Sequence, residues 1–468
     1  MISIGIISKV TVNSSNKQIV DGFKWAKEQA LEYVHFGDAV GEWYEAALPE
    51  RDAFCMRDTA HQSTGAQILG LSSHTKNMLR KFAANISESR DWCSYWEINK
   101  DDLPAPVDYK SDEIFWYNLP ANFDVLDCCY RQYLWTGDEE YINDPVFLNF
   151  YKCTVEDYVR RWDINNDGIM EHKGTCPYRG IPSYLEAQVG DFGILAASDQ
   201  VAAQYAGYVA YSKIQRLRNN LEEANEYEKK AEEIKNAFNS SWWSKKDRNF
   251  YTFILDDGKF FGTSLRDAYK NVDIVTPMPL YFNIPESGHK TESAIKVLLE
   301  CTDTNVETKS HYPEVLFKYG YKEEAYEVLL ELMDSVLKRR EYPEVSYSVV
   351  GSIITGMMGI NPDAKRRVIE TIPRLTDEVD WISIDNIPIF ENEISFRYNK
   401  NQEAVLRNIT GGTIYWKAVF ENDIEQFIVD DIKVKTKKER KIDGLKYSYI
   451  EIPVHSGEER TIKAYENK

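Results

Sequence analysis

Arg57 and Asp58 sit in the densest run of chemically able side chains in the sequence, Phe54-Cys55-Met56-Arg57-Asp58-Thr59-Ala60-His61-Gln62. A guanidinium, a carboxylate and an imidazole at a loop-to-helix junction can grip hydroxyl groups and hold a proton. The plainer reading is an Arg–Asp pair capping the helix. A second run, Asp91-Trp92-Cys93-Ser94-Tyr95-Trp96-Glu97, offers Trp92 and Trp96 as a stacking wall with Glu97 beside them, or as a buried loop anchor. Asn118, just before a helix, is a hydroxyl partner or that helix's cap. Glu186 lies in an aromatic, Pro/Gly-rich loop, followed by Asp191 and Asp199, of which Asp199 suits the positive start of the next helix. In Arg339-Arg340-Glu341-Tyr342-Pro343-Glu344, either Glu341 or Glu344 can serve as a base, or as a surface charge paired with an arginine.

Two carboxyls across one sugar, one to protonate the leaving oxygen and one to activate water, are the requirement for cleaving a glycosidic bond. Burial among aromatics and arginines is what tunes such acids. Asp163, Asn165 and Asp167, in the order D-x-N-x-D-G, open a calcium-loop pattern, but Gly174 falls where that loop needs a bidentate Glu. A tight polar turn is therefore expected, and no metal or cofactor is called for. There is no G-x-S-x-G, H-E-x-x-H or P-loop, and seven histidines make a multi-His metal centre a poor fit.

The elements that must position these residues are helices. Apolar spacing of three and four recurs to about residue 375, as in Ala224, Tyr227, Ala231, Ile234 and Phe238, and about a dozen helices are expected, one of them over Pro362–Ile372. Between them run long aromatic-rich loops (37–57, 91–118, 165–193 and 239–278), the usual carriers of function in a compact domain. Asn249–Gly262 alternates around Asp257-Gly258 and reads as a local hairpin. After Pro373 the period changes to two, with turns at Gly411-Gly412, Asn422-Asp423 and Asp443-Gly444. The division is a helical domain over 1–375 and a β-domain over 376–468.

A chain of 468 residues with 43% hydrophobic residues can bury a large core, and a formal charge of −19 excludes a basic groove for nucleic acid or an anionic membrane. Thirty Tyr and 11 Trp lean towards saccharides, whose rings stack on such side chains. The seven cysteines form no C-x-x-C pair, and the N-terminus lacks the features of a secretory signal, so a cytoplasmic location with reduced thiols is expected.

In order and spacing, these motifs resemble the six-hairpin glycosidase superfamily, in the branch with trehalases, glucosidase I-like and debranching enzymes. Arg57-Asp58 looks like that branch's R-D contact to the terminal sugar, and Asp163–Gly168 like the turn preceding its acid-bearing loop. Glu341-Tyr342, with a following helix that ends Gly359-Ile360-Asn361-Pro362, is similar to its base-bearing segment. The S-G-W-D context of trehalases is absent. The resemblance covers about residues 20–375, and the C-terminal part resembles the β-sandwich of related rhamnosidases. It implies an (α/α)6 toroid with a C-terminal β-sandwich, and an inverting, exo-acting hydrolase of a small oligosaccharide or glycoside. It further implies Glu186 as acid (with Glu171 and Asp191 as rivals) and Glu341 as base (with Glu344 as rival). Arg57, Asp58, His61, Trp92, Trp96, Glu97, Asn118, Tyr342 and Glu344 are then the sugar-binding set. A sugar epimerase centred on His61 and a non-catalytic saccharide-binding protein are the alternatives. The sequence is silent on oligomeric state.

Overall fold

Ile19, Phe23, Ala26 and Ala30 recur at helical spacing and form the buried face of α1 (Lys17–Glu32), whose start is fixed by the Asn16 side chain accepting the Gln18 N–H. The computed structural model of the chain describes residues 8–46, 48–49, 51–172, 179–185, 193–262, 277–301 and 304–464. Eleven more helices carry the argument: α2 (Met56–Ile68), α3 (Ser72–Ala84), α4 (Ala121–Thr136), α5 (Pro145–Cys153), α6 (Ser198–Leu217), α7 (Leu221–Ser241), α8 (Met278–Tyr281), α9 (His289–Glu300), α10 (Tyr312–Lys318), α11 (Lys322–Met333) and α12 (Pro343–Gly351).

These helices alternate in how much of their surface they hide. In α6, 15 of 20 residues are buried, so it is covered on every side, whereas in α7 only 6 of 21 are, along one stripe. The well-covered helices pack on one another in sequence: α2 on α4, α4 on α6, α6 on α8, α8 on α10. From α10 the contacts pass to a π-helical continuation of α12 (Ser352–Met357), and α12 packs back on α2. The striped helices lie outside them, α1 on α12, α3 on α2, α7 on α6 and α11 on α10.

Glycine sets the closest crossings. A Cβ on Gly65 of α2 would lie 2.2 Å from the carbonyl oxygen of Tyr347 in α12, so these two helices touch backbone to backbone. At Gly207 of α6 the same atom would meet the Phe123 ring of α4 at 2.4 Å.

The β-region holds two sheets. One has seven antiparallel strands in the order Thr11–Ser14, Trp381–Ile389, Asn392–Asn399, Glu403–Thr410, Glu459–Lys463, Gln426–Val429, Ile432–Lys435. The other has five, in the order Asn361–Asp363, Val368–Thr371, Ile414–Glu421, Lys446–Val454, Lys437–Arg440. Alternation drives both: Ile394, Phe396 and Tyr398 point into the core shared with Trp416, Ala418 and Phe420. Asn361–Thr371 thus forms a hairpin where helical spacing predicts a helix. The β-branched run Val368-Ile369, with Thr371-Ile372 after Glu370, favours a pleated strand, and Val368–Thr371 finds a parallel partner in Ile414–Glu421. These strands lie ahead of the 375/376 division read from the sequence. The local hairpin within Asn249–Gly262 is present, pairing Phe253–Leu255 with Phe260–Phe261. Among the described residues, no helix is long and apolar enough to cross a membrane.

Candidate active site

Acidic side chains occupy the first turns of α2 (Asp58), α4 (Asp124), α6 (Asp199), α10 (Glu314) and α12 (Glu344). A carboxylate in a helix's first turn is favoured by the positive end of the dipole. Three of them, Asp58, Glu314 and Glu344, line one pocket together with Arg57, His61 and His311. The α2–α12 crossing at Gly65 brings Asp58 and Glu344 to the same mouth. Pro343 starts α12 at its first position, which turns Glu344 inward and leaves Glu341 outside the helix.

Asp58 is 6% exposed and pairs with Arg57, Nε to Oδ1, at 3.1 Å. Glu344 is 8% exposed, and its Oε2 has no hydrogen-bond partner. Burial, with Asp58 beside it, pushes the Glu344 carboxyl well above the usual carboxylate range. The cavity between them measures about 30 Å³, room for a water molecule and not for a sugar ring.

The rim above α2 comes from the antiparallel pairing of Ala53–Cys55 with Glu97–Asn99, which sets Cys55 opposite Glu97. Glu97 meets Arg51 at 3.1 Å, and Asp108 lies 3.6 Å from the same guanidinium nitrogen. Burial and a hydrogen bond with Asp108 push Glu97 up to about 9, against the pull of Arg51. The Arg57 guanidinium lies 5.8 Å over the Trp96 ring, which is itself edge-on to Trp116.

A chain of imidazoles runs behind Asp58. His311 Nδ1 is 3.0 Å from the carbonyl of Glu307, a pure acceptor, so Nδ1 carries the hydrogen. Burial, helped by His61, pushes His311 down to about 3, so its Nε2 is bare and accepts from His61 Nδ1 at 2.9 Å. That leaves His61 Nε2 bare, 3.5 Å from Asp124 Oδ1. Burial also pushes His61 down to about 3 and Asp124 well up. Asp124 accepts the Tyr184 hydroxyl, and Asp199 accepts Ser183 Oγ and the Tyr184 N–H, both at 2.7 Å. The segment Ser183–Leu185, which leads to Glu186, is therefore tied to α4 and α6. Burial raises Asp199 to about 6 despite these bonds.

Of the residues read from the sequence, Arg57, Asp58, His61 and Glu344 meet in the pocket, with Trp96 and Glu97 next to them. Glu341 is exposed, and its carbonyl accepts the Tyr33 hydroxyl. Tyr342 is half-buried under the Arg339 guanidinium, outside the pocket lining. Trp92 is half-buried in a left-handed backbone conformation at φ 63°, and its carbonyl accepts from Asn122. Asn118 is fully buried with neither amide atom partnered. Glu186 and Asp191 lie outside the described residues.

Asp163, Asp167 and Glu171 bring carboxylate oxygens within 4.8 Å of one another, a group that could hold a metal ion. Asp163 accepts the N–H groups of Asp167 and Gly168, and Glu171 accepts those of Ile164 and Asn165 and the Asn165 amide. This is the polar turn expected from the sequence. The pocket also holds Tyr281, Glu307, His311 and Glu314, which sequence reasoning passed over. His311 was findable as one of only seven histidines.

No family model matches the chain, and no curated relative matches it. Solved structures do. An α-L-rhamnosidase from Dictyoglumus thermophilum is 16% identical with a TM-score of 0.63, over 98% of this chain and 50% of that one. A GH78 family rhamnosidase of Bacillus sp. GL1 is 11% identical with a TM-score of 0.57, over 86% of this chain and 41% of that one. A putative kojibiose phosphorylase from the human microbiome is 10% identical with a TM-score of 0.53, over 99% of this chain and 68% of that one. The chain spans half or less of the length of the two rhamnosidases. At these identities the likeness is one of fold, a helical region joined to a β-region, and no single family is identified.

Proposed function

We propose that this protein is a glycoside hydrolase, exo-acting and inverting, built on an (α/α)6 toroid closed by α2, α4, α6, α8, α10 and α12. The observation that carries the reading is the buried pair of first-turn carboxyls, Asp58 and Glu344, facing one pocket with Arg57 and two imidazoles. Glu344 is the base. Its Oε2 is unpartnered in the pocket, where the ionised carboxylate can take a proton from the attacking water. The small cavity beside it seats the water that attacks the anomeric carbon. Arg57 and Asp58 bind the terminal sugar's hydroxyls, Trp96 stacks on its face, and Glu186 protonates the leaving oxygen from the opposite side. The substrate is a neutral oligosaccharide or glycoside, and buried thiols such as Cys55, Cys93, Cys128 and Cys129 suit a reducing compartment.

The test is a screen of the purified chain against aryl glycosides and small oligosaccharides, reading released sugar by chromatography and its first-formed anomer by NMR. Glu344→Gln and Glu186→Gln are expected to lower turnover by roughly 10²–10⁴-fold, the usual contribution of a positioned acid or base. Glu341→Gln is expected to stay near wild type. Full activity in Glu344→Gln would remove it as the base, and net retention of the anomer would remove inversion. The His61–His311 contact favours one second reading, an epimerase that moves a proton at a sugar carbon. Deuterium entering a sugar C–H from heavy water, without bond cleavage, would establish that reading in place of hydrolysis.

A further inference from the structure

Adjoining the first pocket, with which it shares Thr64 and Glu314, lies a second cavity of about 240 Å³. Its walls include Arg131 and Trp135 from α4, Lys318 and Glu314 from α10, Thr64 from α2, and Arg374 from the segment entering the β-region. Such a volume falls below the ~300–1,000 Å³ of drug-sized pockets and is ample for a tetrahedral oxyanion.

Three cations facing one cavity are unexpected in a chain of net charge −19. Arg131 is spent within the fold: it bonds Asp127 at 2.7 Å, Thr64 at 3.3 Å and the Ala60 carbonyl at 3.1 Å. Lys318 and Arg374 are less so, although the Lys318 ammonium also lies 5.4 Å over the Tyr281 ring. Lys318 gives one N–H to the Tyr281 carbonyl at 2.8 Å, and Arg374 gives one to the Gly356 carbonyl at 2.9 Å. The Arg374 Nε is buried and unpartnered. Neither side chain forms an ion pair among the described residues, and burial lowers the pKa of both. Both carbonyls lie at helix ends, so the cations first neutralise those ends and then leave further N–H groups unused. Glu314 is the one carboxylate in the lining, and it offsets one of these two cations. One net positive charge and several donors remain, beside one acceptor that must receive a hydrogen.

We propose that this cavity binds an oxyanion that still carries an O–H at neutral pH, inorganic phosphate, with Lys318 and Arg374 holding the charged oxygens and Glu314 accepting the phosphate hydrogen. Glu314 sets the selectivity. Sulfate has the same shape and size but no proton at neutral pH, so its oxygens would face the carboxylate unrelieved. The wall supports an adaptable site, since Thr355 and Gly356 come from the π-helical stretch, an irregularity that concentrates at functional positions.

The experiment is calorimetric titration of the whole chain with sodium phosphate at pH 7 and fixed ionic strength. Sodium sulfate is run in parallel as the oxyanion of the same shape that carries no proton. Saturable phosphate binding is expected, at least tenfold tighter than sulfate. It should weaken at least tenfold in Lys318→Gln and in Arg374→Lys, which keeps the charge and loses the fork. Glu314→Gln should narrow the gap between phosphate and sulfate. Circular dichroism of each variant identifies any that fails to fold, and the phosphate-to-sulfate ratio in wild type stands whatever the variants do. No saturable phosphate heat, or equal affinity for phosphate and sulfate, would overturn the proposal. The readout uses no sugar, so it succeeds or fails independently of the hydrolase reading.

Discussion

Asp58 does two things at once: it takes the Arg57 ion pair, and, after burial, its charge helps to raise the Glu344 carboxyl above the usual carboxylate range. Asp58→Asn removes the negative neighbour, so Glu344 gives up its proton at lower pH. The acidic limb of kcat/KM against pH is expected to move down, alongside any loss in sugar affinity. An unmoved limb would mean that Glu344 is not the group being titrated. The imidazoles make a second prediction. His61 and His311 sit near 3 in the fold against an ordinary value of 6.5, so their contribution to stability is full above 6.5 and is lost as pH falls from 6.5 towards 3. Glu97, Asp124 and Glu344, raised in the fold, act with the opposite sign over the same range. The wild-type slope therefore mixes the two, and a difference isolates one. Relative to wild type, His311→Gln should gain about 1.4 kcal/mol per pH unit on acidification below 6.5, read from urea midpoints at several pH values.

At the scale of elements, the α2–α12 crossing is what makes a site of two separate carboxyls. Gly65→Ala drives a Cβ into the Tyr347 carbonyl, a backbone atom that cannot rotate away, so the helices must part. A loss of about 1–3 kcal/mol is expected, as for other overpacked contacts, with activity falling further than stability because Asp58 and Glu344 separate. A thermal melt beside a turnover assay checks both halves. The helices were largely legible: every apolar residue read onto one face of α7, from Ala224 to Phe238, is buried in the structure. What was not legible is where a partner decides the outcome. Pro362–Ile372 has enough apolar spacing for a helix, and it is a strand pair because Ile414–Glu421 lies beside it. Glu341 and Glu344 are three residues apart in one loop, and only the placement of Pro343 at the helix start turns one in and the other out. His311 needed His61, 250 residues away, to show that it belongs to the site.

For the molecule as a whole, the two regions are stitched together. Phe390 donates to the Trp135 carbonyl at 2.8 Å, Ala364 to that of Leu134 at 3.1 Å, and the Tyr398 hydroxyl to that of Met358 at 2.9 Å. The first described strand, Thr11–Ser14, leads directly into α1 yet forms the edge of the seven-stranded sheet, paired with Trp381–Ile389. Helical and β-regions are therefore expected to unfold in one calorimetric transition. Deleting residues up to Ser15 should lower its midpoint and bare the Trp381–Ile389 edge to other chains, seen as association by light scattering. Two separate transitions would show that the stitching is weak.

That same edge strand puts a clock on birth. Ser14 bonds Trp381 across 367 residues, so on a ribosome adding about 5–20 residues each second the strand waits roughly 20–70 s for its partner to emerge. Through that interval its backbone groups have no mate in the growing polypeptide. A cell making this protein must keep that short stretch shielded until Trp381–Ile389 has emerged.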